Sequence, residues 1–111
     1  MAHSRFPTRL VSQSNCVVLV GGAGLLKETV QYATLSASGA QAVPAEVASA
    51  ASVAAEMRPY AIIVPEDVYQ FGGQEFDALA RDVDAGLVVV PRNVPLAVLT
   101  AMLGEEASRL G

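Results

Sequence analysis

An unbroken apolar run, Cys16, Val17, Val18, Leu19 and Val20, is stopped by Gly21, Gly22, Ala23 and Gly24, and apolar residues then resume at helical spacing from Leu25 to Val30. A β-branched run without polar alternation is what a strand buried on both faces requires, and such strands occur mainly in parallel sheets covered by helices. The glycines mark a tight turn between strand and helix. A chain that opens this way must start its fold with a βα unit, and the later segments have to supply the neighbouring strands.

They are suited to do so. The spacing predicts a first helix over 24–38 with Leu25, Leu26, Val30, Ala33 and Leu35 on its inward face and Gly39 just past its end. A short second strand is expected at 41–43, closed by Pro44. An alanine-rich helix over 45–57 follows, and Arg58 with Pro59 stops it, because the residue before a proline is pushed out of the helical region. Tyr60, Ala61, Ile62, Ile63 and Val64 read as a third strand. A loop through 69–73 then leads to a helix over 74–82 with Phe76, Leu79 and Ala80 inward. Leu87 to Val90 form a fourth strand ended by Pro91. Asn93 is suited to cap a last helix and Pro95 to open it, and Leu96, Val98, Leu99, Met102, Leu103 and Leu110 spread around it.

Strand and helix alternating four times predict one α/β domain over 15–111, a three-layer α/β/α arrangement on a four-stranded parallel sheet, with a fifth strand left open. A flexible arm over 1–14 is expected before it. The arm holds the single histidine, His3, and its Phe6, Leu10 and Val11 are suited to latch onto the domain.

The totals narrow the function classes. A chain of 111 residues, 52% hydrophobic and 16% charged, has the composition of one globular core. A net charge of −4 without a basic stripe argues against nucleic-acid binding. The single cysteine, Cys16, cannot form an internal disulfide and falls in a strand, which suits a reducing compartment and points to the cytoplasm. No apolar run approaches the ~20 residues of a membrane span.

Several stretches resemble the receiver domain of two-component response regulators. Val17-Val-Leu-Val-Gly-Gly-Ala-Gly-Leu-Leu-Lys-Glu28 is similar to that family's opening strand, acidic turn and first helix. Ser36-Ala-Ser-Gly-Ala-Gln-Ala-Val43 resembles its helix-glycine-strand step. Arg58-Pro-Tyr-Ala-Ile-Ile-Val-Pro-Glu-Asp67 resembles its Arg-Pro-Asp segment and central strand, and Gly73-Gln-Glu-Phe76 the start of its third helix. Leu87-Val-Val-Val-Pro-Arg-Asn93 resembles its last strand and Lys-Pro signature. The resemblance implies a receiver or flavodoxin-like fold from which one strand and helix are deleted. It also places the family's magnesium-binding acids on Gly21 and Gly22, its phosphoaccepting aspartate on Pro65 or Glu66, and its lysine on Val90. Phosphoryl transfer needs a metal and a carboxylate to receive the group. The resemblance therefore implies a degenerate receiver that is not phosphorylated.

Two candidate sites remain. Gly21, Gly22, Ala23 and Gly24 at a strand-to-helix turn are suited to cradle an anion, since glycines let backbone N–H groups close on it and a helix N-terminus favours negative charge. The spacing lacks the third glycine of a dinucleotide fingerprint and the Lys-Thr pair of a P-loop, so a plain tight turn competes with that reading. Glu66 and Asp67 fall beside the presumed crevice, where a divalent cation or a general base is conceivable, against solvated loop acids. Leu96, Leu99, Met102 and Leu103 form an arc wider than one sheet contact needs and are the candidate interface, with self-association through the last helix. No catalytic set, metal site or cofactor is expected, because no histidine lies in the folded part to activate a nucleophile. The leading expectation is a non-catalytic pseudo-receiver acting as a protein–protein scaffold. A small nucleotide- or anion-binding domain and a structural subunit of a larger complex are the alternatives.

Overall fold

The computed structural model of the chain describes residues 15–21 and 24–109. The expected arm over 1–14, with His3, Phe6, Leu10 and Val11, lies outside the described residues, as do Gly22, Ala23 and Leu110.

Four strands, β1 (Cys16–Val20), β2 (Gln41–Ala45), β3 (Ala61–Pro65) and β4 (Gly86–Val90), alternate with four helices, α1 (Leu25–Ser38), α2 (Ala50–Met57), α3 (Glu66–Asp82) and α4 (Leu96–Ser108). A 3-10 turn at Val47–Ser49 leads into α2. Every strand pair is parallel, in the order β2-β1-β3-β4, with Val18 beside Val43 and Ile62, and Ile63 beside Val88. Parallel neighbours cannot be joined by hairpins, so each connection is a helical crossover.

Pleating divides the side chains of each strand between two cores. Val17, Leu19, Ala61, Ile63, Val88 and Val90 face α1 and α4, whereas Val18, Val20, Ile62 and Val64 face α2 and α3. All ten residues of β1 and β3 are buried, which is why both read as unbroken apolar runs. Each large side chain buried there contributes about 1.5–3 kcal/mol. The result is the expected three-layer, flavodoxin-like α/β fold.

Five local expectations are corrected. Residues 69–73 are no loop: α3 starts at Glu66 directly after β3 and is only broken at Gly72, where the backbone leaves helical values. Pro65 precedes it, and the acids Glu66 and Asp67 favour the positive end of the helix. Second, β2 extends through Pro44 to Ala45, because β2 is an edge strand and a missing N–H is tolerated there, so the alanine-rich helix starts at Ala50 and not at 45. Third, the inward face of α1 is Leu26, Val30, Ala33 and Thr34, while Leu25 and Leu35 are 74% and 61% exposed. The buried Thr34 hydroxyl donates to the Val30 carbonyl at 2.7 Å, so it carries no unmet hydrogen bond.

The fourth correction concerns the candidate interface. Leu99 and Leu103 are fully buried against the sheet and α1, and Met102 packs partly against the same core. One turn apart, they form the stripe with which α4 covers β1, β3 and β4, so they offer no surface to a partner. Only Leu96 of that set, with Val98, is exposed. Asn93 does not cap α4 either: Pro95 holds the N-cap position, with no side-chain cap.

Candidate functional site

Open parallel sheets bind ligands beyond the carboxyl ends of their strands, where successive connections leave in opposite directions. That point lies between β1 and β3, since α1 carries the chain to β2 and α3 carries it to β4. The residues that follow β1, β3 and β4 therefore converge on one crevice.

From β1 comes Gly21, with φ +67°, whose N–H donates to the Ala45 carbonyl at 2.8 Å. A Cβ there would lie 3.3 Å from Val68 and 3.4 Å from Val47, so glycine lets α3 and the 3-10 turn close over the strand end. Gly24, with φ +62°, precedes α1, whose first amides have no side-chain cap. Gly22 and Ala23 lie outside the described residues, so only the two ends of the glycine turn are placed.

From β3 come Glu66 and Asp67, both exposed in the first turn of α3. Asp67 is engaged by Arg92, which follows β4. Arg92 Nε donates to Oδ1 at 2.9 Å and Nη2 to Oδ2 at 3.0 Å, a bidentate pair, and the same Nη2 reaches the Gly21 carbonyl at 3.4 Å. The hydrogen-bonded guanidinium holds the Asp67 carboxyl below its usual range. The structure thus joins Gly21 and Asp67 through a residue that the motif reading did not single out. Arg92 was accessible from topology alone, because whatever follows β4 must lie at the same sheet edge as Gly21 and Asp67. Among the described residues, no three His, Cys, Asp or Glu side chains gather as a metal centre would need.

Beside the crevice, on the α2 and α3 layer, lies an apolar groove of about 230 Å³ lined by Val47, Val68, Phe71 and Phe76, with Asp67 and Glu75 at its rim. It opens where α3 is broken at Gly72, and Phe71, next to the break, is 89% exposed. Tyr69 sits over Gly73, where a Cβ would approach its ring to 3.0 Å, and its hydroxyl donates to Asp77 at 3.1 Å. Holding that proton against the carboxylate pushes the Tyr69 phenol up.

The second surface feature is on α1. At about 100° per residue, Leu25, Glu28, Tyr32 and Leu35 fall on one stripe, opposite Leu26, Val30 and Ala33. Leu25, Tyr32 and Leu35 are 74%, 63% and 61% exposed. The helix thus carries apolar residues on both its sheet face and its outer face.

No protein-family model, curated protein or solved structure matches the chain. No helix among the described residues is long and apolar enough to cross a membrane.

Proposed function

We propose that this chain is a non-catalytic, receiver-like interaction module that serves as a scaffold in signalling or assembly, and that its working surface is the outer face of α1. The observation that carries this reading is the second apolar stripe of α1, Leu25, Tyr32 and Leu35. A helix that only covers a sheet needs one apolar face, and a further one turned to water lowers solubility unless something packs on it. The crevice supports the same reading, because Arg92 already satisfies Asp67 and bridges to Gly21. The buried free thiol of Cys16 is in keeping with a cytoplasmic setting.

The uncapped start of α1, with Gly24 at φ +62°, favours a second reading, an anion-binding domain that holds a phosphate on those amides. Thermal melts in the presence of nucleotides, inorganic phosphate and magnesium separate the two. The module reading expects an unchanged Tm. A saturable rise that Gly22→Asp abolishes establishes the anion-binding domain instead.

A further inference from the structure

We infer that the occupant of the outer α1 stripe is a second copy of this chain, packed α1 against α1 in antiparallel sense about a two-fold axis. The inference rests on the interaction-module reading and names its partner. Leu25, Glu28, Tyr32 and Leu35 recur at steps of three, four and three residues, the spacing that closes two helices along one seam.

The single carboxylate in that seam decides the orientation. In a parallel pair Glu28 meets the partner's Glu28, two like charges in a closing apolar contact, which is unfavourable. In an antiparallel pair, the midpoint between positions 25 and 35 is also the midpoint between 28 and 32. One two-fold axis therefore sets Leu25 against the partner's Leu35 and Glu28 against the partner's Tyr32. The phenol is a donor and the carboxylate an acceptor, so the only polar positions of the stripe satisfy each other. The axis repeats both contacts, and an isologous contact of this kind closes at the dimer.

The size of the patch sets the strength. Three apolar side chains fall short of the ~800 Å² per partner of a tight interface. The neighbouring helix α4 adds Ala97, Val98 and Ala101, exposed and small enough for a second helix to come close. A weak, concentration-dependent dimer follows.

Sedimentation equilibrium tests this, with the mass expected to climb from 11.5 kDa toward twice that value between about 10 μM and 1 mM. Leu25→Asp and Leu35→Asp should each hold the mass at the monomer value, and both positions are exposed enough to leave Tm nearly unchanged. Orientation is read by cross-linking. A mixture of Leu25→Cys and Leu35→Cys chains should oxidise to a covalent dimer at least about fivefold faster than either alone, and Cys16 is buried and does not interfere. Leu25→Cys cross-linking by itself as fast as the mixture overturns the antiparallel arrangement. A monomer up to 1 mM overturns the pairing. With nucleotide and phosphate melts unchanged, either failure leaves the module reading standing, whereas a phosphate-dependent rise in Tm lost in Gly22→Asp removes that reading itself.

Discussion

Arg92 grips Asp67 through both carboxylate oxygens, at 2.9 and 3.0 Å, and so links the residue after β4 to the first turn of α3. Both side chains are about half exposed, so water and salt screen the pair, and with the Gly21 carbonyl it links the residues that follow β1, β3 and β4. The Asp67 carboxyl is nevertheless kept below its ordinary value by that hydrogen bond. A carboxyl lowered by folding adds stability that is complete above its unfolded value, about 3.9, and is lost as pH falls through the lowered one. Melts by circular dichroism from about pH 7 to about pH 2 should show a shallower acid decline in Asp67→Asn than in the natural sequence. Superimposable acid branches would mean that the pair does not form in solution.

Gly21 and Gly39 share a positive φ, +67° and +68°, in very different surroundings. Gly39 ends α1, and a Cβ added there meets nothing within 4 Å. Gly39→Ala should therefore cost only the left-handed penalty, about 1–2 kcal/mol. At Gly21 the added methyl also comes within 3.3 Å of Val68 and 3.4 Å of Val47, β-branched side chains with few alternative rotamers. Gly21→Ala should cost about 1 kcal/mol more than Gly39→Ala in urea unfolding. Equal costs would show that α3 shifts freely over the crevice.

Much of the fold was legible from the sequence because burial on both faces leaves an unmistakable record. Cys16 to Val20 and Ala61 to Val64 have no polar residue, as a strand buried between two helical layers requires. Direction and order followed from the alternation of elements. What escaped was angular. Leu25 and Leu26 are adjacent and equally apolar, yet about 100° separates them, enough to put one in water and the other in the core. In α4 the same ambiguity hid Leu99 and Leu103 in an arc that looked available. A glycine pair reads as a loop, whereas Gly72 only breaks α3, because the sheet and core contacts on either side hold both halves. The Arg92 to Asp67 pair spans 25 residues and has no local signature.

The reassignment of α4 separates two leucines that a hydropathy plot treats alike. Leu99 is fully buried among Val17, Leu19, Val30 and Ile63, whereas Leu96 is 46% exposed at the start of the helix. Leu99→Ala should cost about 2–5 kcal/mol, the lost transfer energy plus the cavity left behind. Leu96→Ala should cost under about 1 kcal/mol. Urea denaturation of the two variants measures the contrast, and a tolerated Leu99→Ala would contradict the packing of α4 on the sheet.

At the opposite end of the sheet, Tyr60 ties β1, β4 and α1 together. Its N–H donates to the Cys16 carbonyl and its own carbonyl accepts from Gly86, both at 3.0 Å, while its hydroxyl lies 2.7 Å from Ser38 Oγ. Either hydroxyl can donate in that bond, and Ser38 Oγ also lies 3.2 Å from the Thr34 carbonyl, to which it can donate. Tyr60→Phe removes that one bond and leaves Ser38 the Thr34 carbonyl as its acceptor, a cost of about 0.5–1.5 kcal/mol. Burial pushes both the Tyr60 phenol and the neighbouring Cys16 thiol up, and the Ser38 hydrogen bond only partly offsets this for Tyr60. A group raised by folding contributes stability that is complete below its unfolded value and lost as pH climbs through the folded one. The protein should therefore weaken above about pH 8.5, where an unfolded thiol ionises, and further above about pH 10 for the phenol. Replacing Cys16 by Val should flatten the first step, and Tyr60→Phe the second, in Tm recorded between about pH 7 and about pH 11. Because Cys16 is buried and its thiol contacts the Met57 carbonyl, a thiol reagent at neutral pH should label it only as fast as the chain opens. Labelling as fast as a free thiol would place Cys16 outside the core and undo the position of β1.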